Sequence, residues 1–550
     1  MLPKSQFPAL TPTLALLAFC LAVAGGCARR ETAADAGIRD GTLLVGNAAE
    51  PADLDPDVIT SFTDSNIDYA LLEGLTSIDE KTALPVPAAA SSWEASSDGL
   101  IYTFHLRLGM LWSDGEPVTA GDFAYSFRRI LTPIFGAKYS YMLWPIRNAR
   151  AFNEGQLADF SQVGISAPDP LTLRLVLERP TPYLPALAAH TSWLPVNPRT
   201  IARFGGMTDR GSAWTRPGNF VGNGPFVLSE WVPNARIVAV KNPRYWDAAH
   251  VRLNRIVFYP VESFDTEEHD FRAGQMHVTY SLPVSKIAGY RGMDPPRLRV
   301  DPWLSTTYLT INVTKPPLDR LLVRRALALG IDREAITRDV LSGTAIPTRS
   351  LTPPGCAGYT PKAEVSDDFE QARRLLAQAG YPGGAGLPVI EIQAFSEGST
   401  TRVLEAIQSM WRRELGVRVT ITPLEQKTLY ENQQSLNYQI GTAGWVADYP
   451  DPSTFLNQYV TEGGNNWAGW SDREFDRLVA ESERTADNGR RYELFQRAEA
   501  ILLGQAPIIP LYLLPRIYLI HPAVRGWDPS VLGFHNFKKV WLDPSWAAGR

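Results

Sequence analysis

The chain has 550 residues, a length that accommodates two or three domains of ordinary size. Its 45% hydrophobic and 20% charged composition is that of a folded soluble protein and excludes global disorder. Lys+Arg 53 against Asp+Glu 58 gives a net charge of −5, which excludes a bulk nucleic-acid binder, because neutralising phosphates requires a basic surface.

Residues 5–28 carry no charge, with Lys4 before them and Arg29 and Arg30 after. The apolar part, residues 14–24, is shorter than the roughly 20 residues a membrane span needs and has the length of a signal-peptide core. Ala24-Gly25-Gly26-Cys27 then places small residues before a cysteine, the pattern of a bacterial lipobox, whereas bulky Phe19 precedes Cys20. The expectation is a lipoprotein signal peptide over 1–26 and a lipidated Cys27; the alternative is an ordinary signal peptide cut at small residues. Cys356 then has no partner thiol, and no internal disulfide is expected. Residues 27–42 are polar and read as a flexible tether.

A strand begins at Leu43-Leu44-Val45, and residues 65–74 read as a helix stopped by glycine. Tyr102-Thr103-Phe104-His105-Leu106 alternates as a strand, and Trp112-Ser113-Asp114-Gly115 makes a tight turn. Thr119 caps a helix running to about residue 131, and further strands are expected at 171–177, 237–240 and 256–259. The C-terminal third is the most regular. A helix over 367–379 stops at Gly380; strand 389–395, helix 400–415, strand 417–421, helix 426–434 and strand 438–443 follow. This β-α-β-α-β order predicts a parallel sheet with right-handed crossovers. Ligands bind beyond the carboxyl ends of such strands, which points to Gly444-Trp445-Val446-Ala447-Asp448-Tyr449, expected just after the third strand.

Motifs for catalysis are absent: no GxxxxGK[ST], HExxH, GxSxG or CxxC occurs, and no two histidines stand four residues apart. Asp53/Asp55 and Asp448/Asp451 are open to an acid–base reading, but carboxylates beside proline in turns are far more often structural. Binding is favoured over catalysis, and no cofactor or metal is expected.

The segments Glu50-Pro51, Leu54-Asp55-Pro56, Leu72-Glu73-Gly74-Leu75, Trp112-Ser113-Asp114-Gly115, Asn223-Gly224-Pro225-Phe226, Tyr245-Trp246-Asp247, Val323-Arg324-Arg325-Ala326-Leu327 with Ile331-Asp332-Arg333, and Gly444-Trp445 with Asp448-Tyr449-Pro450-Asp451-Pro452 occur in one order. Together they resemble the peptide-binding proteins of bacterial ABC importers, family 5 of the extracellular solute-binding proteins. The resemblance implies an α/β, two-lobed periplasmic binding protein (type II-like, cluster C) with an extra domain inserted in the first lobe. The boundaries expected are 43–72, 198–278 and 516–550 for lobe I, 73–197 for the insertion and 279–515 for lobe II.

The resemblance also implies a monomer outside the cytoplasm, periplasmic or at the cell surface, with a peptide ligand, permease subunits carrying cytoplasmic ATPases, a membrane contact through the lipid anchor, and no nucleic acid. The alternatives are a binder of a non-peptide solute on the same fold and an exported hydrolase. By the same resemblance Asp448 grips the peptide's α-ammonium, Gly444 and Val446 offer backbone groups, and Trp445 forms an aromatic wall. Tyr139 lies near the peptide's N-terminal end, and Thr60, Ser61 and Phe62 form an edge that pairs with its backbone. At positions where relatives carry basic side chains for the ligand's carboxylate, this sequence has Thr442 and Thr400, leaving Lys315, which an ordinary solvated lysine explains equally well. Arg324, Arg325 and Arg333 are expected to be salt-bridged structure rather than ligand contacts.

Overall fold

The computed structural model describes residues 31–395 and 398–546, so the expected signal peptide and Cys27 lie outside the described residues. The stretch expected as a tether is helical over α1 (Ala33–Asp40). Thr32 and Asp35 close a capping box at its start, and Gly41, at φ 66°, ends it in the left-handed conformation. The tether expectation fails there because Ala34 and Ile38, one helical turn apart, are both buried. The helix is docked by a buried imidazole: His277 Nδ1 accepts from the Leu44 N–H (3.0 Å), and Nε2 donates to the Ala34 carbonyl (2.9 Å).

Strand β1 (Thr42–Gly46) and helix α2 (Phe62–Leu71) come next. In the inserted segment, β2 (Ala90–Ala95), β3 (Ile101–Leu106), β4 (Ile165–Asp169) and β5 (Thr172–Val176) form an antiparallel sheet in the order β2-β3-β5-β4. Helix α3 (Ala120–Leu131), capped by Thr119 and Asp122, packs against it. The chain then returns to β1. Strands β6 (Phe226–Val232), β7 (Arg236–Lys241) and β8 (Arg255–Tyr259) complete a sheet ordered β1-β8-β7-β6, with β1 parallel to β8. The apolar faces of these two sheets share one continuous core. Much of the aromatic stock is spent on cores, with Trp112, Trp193, Trp214 and Trp411 fully buried.

Strands β9 (Leu298–Asp301) and β10 (Ser305–Ile311) lead into the second lobe. There α4 (Phe369–Gln378), β11 (Ile390–Phe395), α5 (Gly398–Met410), β12 (Val419–Leu424), α6 (Gln426–Gln434) and β13 (Ile440–Val446) follow in order. Strand β11 is parallel to both β12 and β13, as the β-α-β-α-β pattern predicts. Helix α7 (Asn488–Gln505) and strands β14 (Ile508–Leu513) and β15 (Arg516–Leu519) come last. The six-stranded sheet runs Ile346–Pro347, β14, β10, β13, β11, β12, over a separate core.

Two adjacent crossings connect the lobes. Strand β9 pairs antiparallel with β15, and β10 with β14, so residues 302–304 and 514–515 pass side by side. The Ser305 hydroxyl donates to the Leu514 carbonyl (2.9 Å) and accepts its N–H (3.2 Å), pinning the two crossings together. Lobe II was expected to begin at residue 279; the crossing puts its start near 302. Residues 279–301 stay with lobe I, because Leu282, Ile287 and Tyr290 pack with Leu44, Val257 and Leu519.

Burial drives the His277 imidazole down to about 4, and neighbouring His521 is held equally low. An unfolded histidine takes its proton near pH 6.5. Between these values the unfolded chain binds more protons, so His277 makes stability fall with falling pH. Wild type should lose on the order of 3 kcal/mol more than His277→Gln between pH 7 and pH 4. Urea denaturation at the two pH values checks this; equal losses would remove the role assigned to His277.

Candidate ligand-binding site

Strand β13 runs three residues further than expected: Gly444, Trp445 and Val446 are in the strand, paired with Thr307, Thr306 and Ser305 of β10. The antiparallel partner supplied by β10 carries it past the end of the parallel unit. Bonds from Asn312 N–H to the Gln439 carbonyl and from Ala447 N–H to the Leu304 carbonyl fix the parity. Odd-numbered residues of β13 therefore face β10, and Thr442, Gly444 and Val446 present N–H and C=O to the opposite edge. On that edge β11 pairs only as far as Gly441. The Phe395 N–H turns to the Thr442 hydroxyl (3.2 Å), and Gln433 Nε2 donates to the Thr442 carbonyl (3.0 Å). Beyond this no strand among the described residues pairs with Gly444 or Val446 on the side away from β10, and that edge is open to an extended ligand.

Asp448 follows the strand. Among the described residues no cation stands within ion-pair distance of its carboxylate, and the Tyr141 hydroxyl donates to it at 3.5 Å. It keeps a small exposed fraction, yet loss of water around it pushes it up to about 7. Asp448 and Trp445 line a cavity of about 710 Å³, large enough for several ligand residues. Trp445 is half-buried, with its indole N–H on the Thr454 hydroxyl (3.3 Å), so it is wall rather than core.

The loop is fixed one turn further on. Arg491 on α7 grips both oxygens of Asp451 at 2.9 Å each, and both side chains are buried. Asp451 also accepts from the Ser453 N–H (3.0 Å). Tyr449 stacks on Tyr183 of the inserted domain, 5.1 Å between ring centres and 4° from parallel, bringing the two halves of the molecule together beside Asp448. The pair Asp448/Asp451 is therefore no acid–base couple, and Asp55 is likewise committed, in a bidentate pair with buried Arg129. Arg333 pairs with Asp367 as expected, whereas Arg324 instead binds the carbonyls of Gln505, Leu318 and Asp319.

Other expectations fare unevenly. Tyr139 packs edge-on against His190 (5.0 Å) and next to Tyr141 (5.8 Å); burial, then the nearby Asp448 charge, raises its hydroxyl. Tyr141, two residues along, is the one that bonds Asp448, and its place in the 3₁₀ turn Ser140–Leu143 gave no local signal. Thr442, Gly444 and Thr400 line a second cavity of about 520 Å³ on the hinge side of β13. Ser61 and Phe62 do not form a strand edge: Ser61 caps α2 through the Asp64 N–H (3.1 Å), and Phe62 opens the helix, stacked on Phe534 at 4.1 Å. Thr60 faces a separate hollow with Asp53 and Arg210. Lys315 lines neither the cavity at Asp448 nor the one at Thr442. It lies exposed past Ile311, at the end of β10 opposite Ser305, and β10 runs antiparallel to β13, so the strand carries it away from Asp448 by about 3.4 Å per residue. Cys356 is a buried free thiol.

The model of the bacterial extracellular solute-binding proteins, family 5, matches residues 85–467. The chain belongs to this family. Members of family 5 are solute-binding proteins rather than enzymes, which sets the hydrolase alternative aside. The periplasmic oligopeptide-binding protein OppA of Salmonella typhimurium is 34% identical over 499 residues, covering 88% of this chain and 89% of that one. The probable deoxycholate-binding periplasmic protein YgiS of Escherichia coli is also 34% identical, over 489 residues, with 88% and 89% covered. Among solved structures, the murein tripeptide-binding protein MppA of Escherichia coli superposes with a TM-score of 0.78 at 31% identity, covering 91% of this chain and 98% of that one. The named ligands differ between these family 5 relatives, so the choice of ligand rests on the site itself.

Arg491→Met should strand a buried carboxylate and destabilise the protein by about 3–5 kcal/mol. It should also release the loop that aims Asp448. Thermal unfolding alongside ligand titration reads both effects, and a fold stability within 1 kcal/mol of wild type (on the order of ordinary surface substitutions) would contradict the assignment.

Proposed function

We propose that the chain is the ligand-capturing component of a peptide ABC importer, working in the periplasm or at the cell surface and anchored through a lipidated Cys27. The observation that carries this reading is a desolvated carboxylate without a counter-charge, placed directly beyond an open strand edge. A peptide laid along that edge pairs with the N–H and C=O groups of Gly444 and Val446, which supply affinity without reading sequence. Its α-ammonium provides the cation that Asp448 lacks, and an ammonium enclosed without a carboxylate would not bind. Trp445 and Tyr139 enclose this end, and the roomy cavity beside them accommodates varied side chains. OppA and MppA are named for peptide ligands, in line with this reading.

Asp448→Asn should weaken peptide binding by about 3–5 kcal/mol, two to four decades, while changing the melting temperature little. N-acetylated peptides should bind the wild type as poorly. The pH profile has a definite sign: the free carboxyl sits at about 7, and only its ionised form pairs with an ammonium. Affinity should fall up to tenfold per unit as pH drops below 7, with about half a proton released per complex at pH 7. Titration calorimetry in two buffers of different ionisation enthalpy measures this release. Equal affinities for free and N-acetylated peptides would remove the proposal.

Replacing Cys27 with Ser should release the protein from the membrane fraction, since acyl chains anchor by about 0.8 kcal/mol per buried CH₂. A Ser variant that stays membrane-bound would overturn the anchor.

A further inference from the structure

The second cavity, on the hinge side of β13, is walled mainly by apolar and aromatic side chains, among them Tyr280, Trp303, Tyr308 and Tyr512. Arg516 is the one charged side chain among its described lining residues. It opens β15, directly after the 514–515 crossing, and is half-buried. Its position is fixed: Nη2 donates to the Tyr280 carbonyl (3.2 Å), and the guanidinium carbon stands 4.8 Å from the Tyr280 ring centre, 5.6 Å from Trp303 and 5.8 Å from Phe62. Among the described residues no carboxylate lies within ion-pair distance of it. Glu267 feels its charge, but that carboxyl is buried and accepts from the Ser281 N–H (3.2 Å) instead.

The deeply buried arginines of this fold are treated differently, since Arg129, Arg333 and Arg491 each hold a carboxylate. A guanidinium held among rings with most of its N–H fork unused is set up for a planar anion. From the peptide reading above, we infer that Arg516 is the second anchor of the ligand, receiving the carboxylate at the C-terminal end of a peptide whose ammonium rests on Asp448. The two anchors belong to different lobes: Asp448 follows β13 in lobe II, and Arg516 lies on the lobe I side of the crossing. A zwitterionic ligand of fitting length bridges them and draws the lobes together, whereas a ligand lacking either charge leaves one lobe unengaged. Arg516 takes the place that the sequence offered to Lys315.

The test pairs peptides of two to six residues as free acids and C-terminal amides, titrated against wild type, Arg516→Gln, Arg516→Lys and Lys315→Ala. Wild type should prefer the acid by about ten- to a hundredfold at one or two lengths, the range of a hydrogen bond to a charged group. Arg516→Gln should bring the acid down to the affinity of the amide and leave the amide nearly unchanged. Arg516→Lys should keep a reduced preference, and Lys315→Ala should keep all of it. Small-angle scattering should register fuller compaction with the acid than with the amide. A wild type that binds acid and amide equally at every length overturns the inference without any variant, as does a folded Arg516→Gln that keeps the preference. Peptides that need a free N-terminus but ignore amidation would leave the role of Asp448 standing and remove that of Arg516. A wild type that binds none of these peptides removes both.

Discussion

The grip of Arg491 on Asp451 is the interaction on which the ligand site depends. Taking two charges out of water is costly, and a buried pair holds only when both oxygens and both donors are used. Here the carboxylate receives two guanidinium nitrogens and a backbone N–H, so the turn that follows β13 is held in one position. The guanidinium carbon also lies 5.3 Å from the ring centre of Tyr183, which stacks on Tyr449. One ion pair thereby orders the loop, its contact with the inserted domain, and the direction in which Asp448 points. A carboxylate whose orientation is set by neighbours pays little ordering entropy when a ligand arrives.

A division of labour among charges follows. Arg129 with Asp55 and Asp57, Arg333 with Asp367, and Arg491 with Asp451 are closed pairs, spent on the fold. Asp448 and Arg516 are the contrasting cases, opposite in sign and on opposite sides of the crossing. Closed pairs cannot recognise anything, because their donors and acceptors are already matched. Open ones raise the energy of the empty protein slightly and return that energy to a partner of the right charge.

The sequence made the parallel unit of lobe II legible because its signals are local: Gly380 and Gly416, both at positive φ, punctuate helices between apolar strands. The extent of β13 was not legible, since the partner that prolongs it, β10, lies more than a hundred residues earlier. The same antiparallel pairing decides where Lys315 goes, and nothing near Lys315 encodes it. Asp448 was found through resemblance and position together, but its hydroxyl partner Tyr141 was not, a matter of how one 3₁₀ turn rotates. Arg516 carries no motif and becomes visible only when Tyr280, Trp303 and Phe62 surround it. Helix α1 is the reverse case: Thr32-x-x-Asp35 and the Ala34/Ile38 spacing were available in the sequence, and the polar composition masked them.

Docking of α1 onto lobe I sets the length of the leash. Four residues lie between Cys27 and Thr32, and the five steps that join them reach only about 18 Å even when fully extended. With the acyl anchor proposed at Cys27, the body is confined to a thin layer above the lipid surface. Confinement of that kind replaces a three-dimensional search for the permease by a nearly two-dimensional one and raises the local concentration of the partners for each other. It also restricts which face of the protein can turn toward the membrane, so the orientation for delivery is selected in part by where the first helix is fastened.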